Sequence, residues 1–208
     1  PCSNADKTIV FGVNDDEISK KDTVISNASC TTNCLAPVAK VIDEKFGIVH
    51  GYMTTIHSYT GDQKVLDTYH SDLRRARGAA LSMIPASTGA AKAVGLVMPH
   101  LSGKLDGTAI RVPTPNVSLI DFKFVTNKKI SKESINKAMT AASKSKKLKG
   151  ILNVNSDPLV SSDFNHNSAS STFDLTQTQV IDESFGRVLS WYDNEWGFSN
   201  RMCDTAVK

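Results

Sequence analysis

The chain has 208 residues, 40% of them hydrophobic, and its 24 Lys and Arg against 21 Asp and Glu leave a formal charge of +3 at pH 7. That length supports one well-packed domain with further segments at either end, and so small a charge excess gives no general attraction to nucleic acid or an anionic membrane. No apolar run approaches the roughly 20 residues that span a bilayer, and the opening PCSNADKTIVFG lacks a charged start followed by an apolar stretch, so a cytoplasmic protein is expected.

In chain order, residues 8–13 (TIVFGV) read as a short buried strand and residues 23–25 as a second. From Cys30 to Phe46, apolar Leu35, Val38, Ala39, Ile42 and Phe46 fall on one helical face. Pro37 interrupts that pattern and predicts a kink or a tightly wound first turn, because it removes a backbone donor and crowds the Asn33 carbonyl. Residues 48–56 are β-branched and aromatic enough for a strand that ends at His57, and a long polar loop over 58–83 follows, of a length that usually has a function.

A short helix is expected over 88–97, with Thr88 and Gly89 at its start. Residues 105–112 and 117–125 alternate like antiparallel strands, with Pro113 and Pro115 marking the turn between them. A second amphipathic helix begins near Ser131, with Ile135, Ala138, Met139 and Ala142 on one face, and strand candidates lie near Leu159, over 178–182 and over 187–192. The order is mixed, with most strands late: an α+β chain. The lysine-rich stretch 128–149 has no interleaved aromatics and reads as a solvated helix face. No GxGxxG occurs anywhere.

The chemistry starts with sulfur. Four cysteines, Cys2, Cys30, Cys34 and Cys203, are too few and too irregularly spaced for a disulfide framework or a zinc ribbon, so reduced thiols and no metal are expected. Cys30 sits where a strand gives way to a helix, and free N–H groups and the positive end of the helix dipole there favour a thiolate. An arbitrary cysteine is more often a small buried hydrophobe. The neighbours Ser29, Thr31, Thr32 and Asn33 suit an oxyanion or phosphate better than a core. Cys34 reads as structural, since two cysteines four apart on a helix meet neither disulfide torsions nor a full metal shell. Of the five histidines, His57 alone stands at a strand end before a long loop. Thr88 and Gly89 present a hydroxyl and an unshielded N–H to an anion, or simply cap the helix. For Arg111, spacing does not decide between a solvated guanidinium and a phosphate clamp.

The segments SNASCTTNCLAP, HSYTGDQ, RRARGAA, ASTGAAKAVG, RVPTPNVS and SWYDNEWGFSNR stand in this order, and with them essentially the whole chain resembles the glyceraldehyde-3-phosphate dehydrogenase family. The resemblance implies a catalytic domain with a mixed, largely antiparallel sheet carrying helices on one face. It assigns 1–26 to the remnant of an NAD-binding domain, 27–193 to the catalytic domain and 194–208 to the start of a C-terminal helix that packs on the NAD-binding domain. It implies oxidation of glyceraldehyde 3-phosphate to 1,3-bisphosphoglycerate through a thiohemiacetal and a thioacyl enzyme at Cys30, with His57 as acid and base. Ser29, Thr31, Thr88 and Gly89 resemble the inorganic-phosphate site, Thr60 and Arg111 the pocket for the substrate's own phosphate, and Asn194 the residue that fixes the nicotinamide carboxamide. NAD is the expected cofactor, with NADP left open because Thr68 and Tyr69 match neither pattern. The loop over 58–83 is expected at a subunit interface of a homotetramer. Phe198 stands where many members carry tyrosine, and the glycine fingerprint of the nucleotide domain is missing. The alternatives are a paralogue acting on erythrose 4-phosphate and a non-catalytic interaction fragment.

Overall fold

The computed structural model describes residues 4–208, so Cys2 lies outside the described residues. Two short strands, β1 (Lys7–Thr8) and β2 (Ile25–Ser26), pair in parallel at the N-terminal end. The strand expected over 8–13 is only its first residue. Ile9 and Val10 are buried, but Asn14 Oδ1 accepts the Val10 N–H at 2.9 Å and Asp15 Oδ1 accepts the Gly12 N–H at 2.9 Å, winding the chain into a 3₁₀ turn at Asp15–Glu17. An apolar run signals burial, and local side-chain acceptors decided the backbone here.

The body of the molecule runs α1 (Cys30–Phe46), β3 (Ile48–Ser58), β4 (Ile84–Ser87), α2 (Ala90–Val97), β5 (Leu105–Val112), β6 (Ser118–Thr126), α3 (Lys132–Ser143), β7 (Leu152–Asn155), β8 (Ser171–Asp174), β9 (Gln179–Ile181), β10 (Phe185–Tyr192) and α4 (Trp196–Val207). Eight strands form one sheet in the order β4-β5-β3-β6-β10-β8-β7, with β9 on β10. Only β3 with β5 and β7 with β8 are parallel, so the sheet is mixed and largely antiparallel. β5 and β6 run in opposite directions as expected, yet they are not neighbours. β3 lies between them, and the Pro113 and Pro115 segment crosses that strand instead of closing a hairpin. No strand forms at Leu159, while β7, β8 and β4 have only four residues each. β8 is buried on both faces and shows no alternation to read.

Alternation elsewhere sets the layers. Met53, Thr55 and His57 of β3, Ile120, Phe122 and Phe124 of β6, and Val188, Ser190 and Tyr192 of β10 are buried on the side that carries the helices. They pack with Leu35, Val38 and Ile42 of α1, Val94 and Val97 of α2, and Ile135 and Met139 of α3. Burying a phenylalanine such as Phe122 contributes about 2 to 3 kcal/mol. The opposite face keeps Tyr52, Asp121, Lys123 and Arg187 partly or fully exposed. α1 is continuous across Pro37 and ends at Gly47, whose φ of 70° is the left-handed stop that glycine permits. Ser131 and Ser134 cap α3 reciprocally. β3 and β5 approach so closely that a Cβ on Gly107 would lie 2.5 Å from the Met53 carbonyl oxygen.

Candidate active site

Ala28, at φ 55°, turns the chain from β2 into α1, and Ser29 caps that helix by accepting the Thr32 N–H at 3.0 Å. Cys30 is the first residue of α1 and half-buried. β3 leads back beneath this helix start and places His57 at its penultimate position, with Nε2 3.6 Å from the Cys30 sulfur. In the parallel register of β3 and β5, His57 stands opposite Arg111. An Nη1 of Arg111 lies against His57 Nδ1 and 3.2 Å from the Ser58 carbonyl oxygen, which is itself 2.7 Å from Nδ1. Nδ1 cannot accept from Arg111 and donate to Ser58 at once. With its proton on Nδ1, His57 turns the Nε2 lone pair toward sulfur and is a base. With Nδ1 accepting from Arg111, it turns an Nε2–H toward sulfur and is a donor.

Beneath the pair lies Tyr192, which the sequence reading did not single out. Its hydroxyl is 2.8 Å from Thr31 Oγ1 and 2.9 Å from Thr55 Oγ1, and its ring meets His57 edge-on at 5.8 Å. The alternation of β10, which buries Val188, Ser190 and Tyr192 together, was the available signal.

The electrostatics bear on the expectation at Cys30. Burial pushes the Cys30 thiol above its ordinary range, against hydrogen bonds from Thr31 and the charge of Arg111. Burial first, and then Arg111, bring His57 down to about 4, with the Ser58 carbonyl opposing. Burial therefore opposes the standing thiolate expected from the helix start, and burial together with the Arg111 charge opposes an imidazolium beside it. The thiolate forms only when a proton leaves sulfur. Cys34 is fully buried against Ser171 and Ser190 and pushed up to about 12, as a structural thiol should be.

A depressed histidine pKa has a stability signature. As pH falls from 6.5 towards 4, the unfolded chain takes up the His57 proton before the folded one, so this contribution is complete above about pH 6.5 and lost on acidification. Between pH 7 and pH 5 the loss is about 2 kcal/mol. Urea midpoints should fall with acid over that range more steeply in the parent than in a His57→Asn variant, and equal slopes would disprove the assignment.

Of the other residues singled out from the sequence, Ser29 and Thr31 lie beside Cys30, but Thr31's hydroxyl is turned inward to Tyr192. Thr32 Oγ1 donates to the Ala90 carbonyl at 3.2 Å, which sets the starts of α1 and α2 side by side. Thr88 accepts the Ala90 N–H at 3.2 Å, and Gly89, the helix cap, has open space where a Cβ would be. Thr60 is held by Gln63, its N–H donating to Oε1 at 2.9 Å, and no hydrogen bond joins it to Arg111 among the described residues. Asn194 precedes α4 and accepts on Oδ1 from Ser58 and Ser118. The sequence reading also passed over Arg75, which binds Asp62 at 2.6 Å and donates to the Ser87 carbonyl, tying the long loop to β4. Ile25, Asn27 and Ala28 with Phe198, Met202 and Ala206 line a cavity of about 440 Å³ between β2 and α4.

A thiol with an imidazole partner at a helix start, ringed by hydroxyls, helix N-termini and a part-buried guanidinium, is an arrangement suited to nucleophilic chemistry at sulfur beside bound anions. A sequence model described as the glyceraldehyde 3-phosphate dehydrogenase, C-terminal domain, matches residues 29–194. Curated relatives include the glyceraldehyde-3-phosphate dehydrogenase of Xanthobacter flavus, 66% identical over 207 residues, which are 100% of this chain and 62% of that protein. That of Cereibacter sphaeroides is 61% identical with the same coverage, 100% and 62%. That of Geobacillus stearothermophilus is 58% identical over 208 residues, again covering 100% of the chain and 62% of the relative. The chain belongs to the glyceraldehyde 3-phosphate dehydrogenase family and contains its C-terminal domain. It spans about 62% of the length of these relatives.

Proposed function

We propose that this chain is the catalytic part of a phosphorylating, NAD-dependent glyceraldehyde-3-phosphate dehydrogenase. Residues 1–26 and 194–208 then belong to the contact with an NAD-binding domain, and 27–193 form the catalytic domain. The observation that carries the reading is the Cys30 sulfur 3.6 Å from His57 Nε2, inside a family whose named relatives share more than half of their aligned residues with it.

In the proposed mechanism, the Cys30 sulfur attacks the aldehyde carbon while its proton passes through His57 Nε2 to the carbonyl oxygen, which becomes the hydroxyl of a thiohemiacetal and leaves His57 neutral again. His57 then holds the proton of that hydroxyl as the carbon is oxidised. When bound, the dinucleotide supplies the hydride acceptor. Cys30 is left as a thioester. Inorganic phosphate attacks its carbonyl, the carbon–sulfur bond breaks, an acyl phosphate departs and the thiol regains its proton from His57. Both phosphate groups need anion sites. Arg111 suits one, being a part-buried guanidinium that, among the described residues, has no carboxylate bonded to it and no partner for its Nε. The paired starts of α1 and α2, with Ser29, Thr31, Thr88 and Gly89, suit the other. Thr60 joins Arg111 once its hydroxyl leaves Gln63.

The chain's residues fit the nicotinamide end of NAD. Asn194 holds its amide fixed, with a nitrogen that makes no hydrogen bond among the described residues, and Phe198 gives the cavity between β2 and α4 an apolar wall. The chain offers no glycine loop for a pyrophosphate. For the homotetramer, the supporting observation is the loop over 59–83, which exposes Leu66, Tyr69, Leu73, Leu81 and Met83, an apolar surface suited to a second copy.

The test is reduction of NAD by the full-length protein with glyceraldehyde 3-phosphate, with and without inorganic phosphate. Turnover that depends on phosphate is expected. A strong preference for erythrose 4-phosphate, or turnover indifferent to phosphate, would overturn the reading.

A further inference from the structure

Ser58, the last residue of β3, and Ser118, the first of β6, lie side by side and are both buried. The Ser58 N–H donates to Ser118 Oγ at 3.0 Å, which fills an acceptor site on that hydroxyl and leaves its one proton to go elsewhere. It goes to Asn194 Oδ1, at 2.9 Å. The Ser58 hydroxyl donates to the same oxygen at 2.7 Å. Two donors occupy both lone pairs of Oδ1, so the amide nitrogen must face the other way. Turning the amide over would leave the two hydroxyls only each other, at 3.4 Å, and one of their protons without an acceptor in a buried site.

The backbone beside it is fixed as well. Asp193 is 1% exposed, and its carboxylate accepts from Asn116 Nδ2, His166 N–H, Glu195 N–H and Trp196 N–H. Asn194 therefore has a held main chain, a held oxygen and one free nitrogen, and it is 5% exposed. Ser58 also connects this clamp to the base, because its carbonyl lies 2.7 Å from His57 Nδ1.

We infer that Ser58 and Ser118 are positioning residues that lock the Asn194 amide so that it can only donate, through nitrogen, to the carbonyl oxygen of a nicotinamide carboxamide. The inference rests on the proposed function for the identity of the ligand, and on the serine geometry for the direction of the bond. The lock makes Asn194 blind to the carboxamide NH₂ and dependent on its oxygen.

The test is equilibrium binding by calorimetry to the full-length protein, using NAD and the analogue whose ring carries a 3-acetyl group, which keeps the carbonyl and lacks the NH₂. The parent should bind the two alike. Ser58→Ala removes one of the two donors to Oδ1, so the amide, held by Ser118 alone, turns more readily, and a turned amide can still accept from the carboxamide NH₂ of NAD but has nothing to offer the acetyl group. The ratio of the analogue's Kd to that of NAD should therefore rise by roughly three- to tenfold, the scale of one hydrogen bond. A merely structural loss would weaken both ligands equally, and that result, or no change, overturns the lock. Because Ser118→Ala strips the Ser58 N–H of its acceptor, Asn194→Asp is the second variant. It keeps both serine bonds and has no N–H, so it should lose about tenfold or more for the analogue, and undiminished analogue binding would also overturn the lock. Dinucleotide binding without aldehyde turnover would sink the proposed function and leave the lock standing. Turnover with a Ser58→Ala ratio equal to the parent's would sink the lock alone, and a parent that binds neither dinucleotide sinks both.

Discussion

Exchanging His57 for asparagine should slow acylation of Cys30 by at least about a hundredfold in the full-length protein, the scale of losing a general base. The thiol that must be ionised is raised by burial, and the imidazole nitrogen at 3.6 Å is the proton acceptor within reach. Asparagine fills much of the same space and can hydrogen-bond to sulfur, but it cannot take a proton. Thiol alkylation gives an independent readout with an internal control. Iodoacetamide should react more slowly with Cys30 in His57→Asn than in the parent, while exposed Cys203 reacts at the same rate in both and buried Cys34 stays unlabelled in the native state. An acylation rate near the parent's would remove His57 from the mechanism.

Gly107→Ala should cost about 2 to 3 kcal/mol, at the upper end for overpacking. Its added Cβ would meet the Met53 carbonyl oxygen at 2.5 Å, and a backbone atom paired in the sheet cannot swing aside as the tip of a side chain can. Relief comes only by parting β3 from β5, the two strands whose register sets His57 opposite Arg111. The substitution should therefore lower the urea midpoint and the affinity for the phosphorylated substrate together. An unchanged midpoint would show that the strands have slack at this point.

What the sequence made legible follows from period and length. α1, α3, β3, β6 and β10 show one face buried over eight residues or more, and their bounds fall within a few residues of expectation. Met53, Thr55 and His57 alternate cleanly, and the strand end at His57 was readable. β4, β7 and β8 were not, because four residues carry too little pattern and β8 is buried on both faces. The placement of β3 between β5 and β6 is a property of the whole sheet, and no local feature near Pro113 signals it. At the site, polar neighbours marked Cys30 as chemistry and the family resemblance marked His57, but their separation of 3.6 Å is made by a strand folding back beneath a helix start. Arg111 was undecided by spacing, and the register with His57 decides that it points to the buried side. Ser58 and Ser118 escaped notice because serine is common and their value lies in what they hold.

The order in which these parts leave the ribosome adds a last consequence. Cys30 and His57 are made well before Tyr192, whose hydroxyl spans Thr31 and Thr55 beneath them and which lies 161 residues beyond Thr31. β10, which carries it, also fills the gap between β6 and β8. A growing chain therefore carries its nucleophile through the intervening 161 residues without the floor that seats it, and the site matures only when β10 slides home.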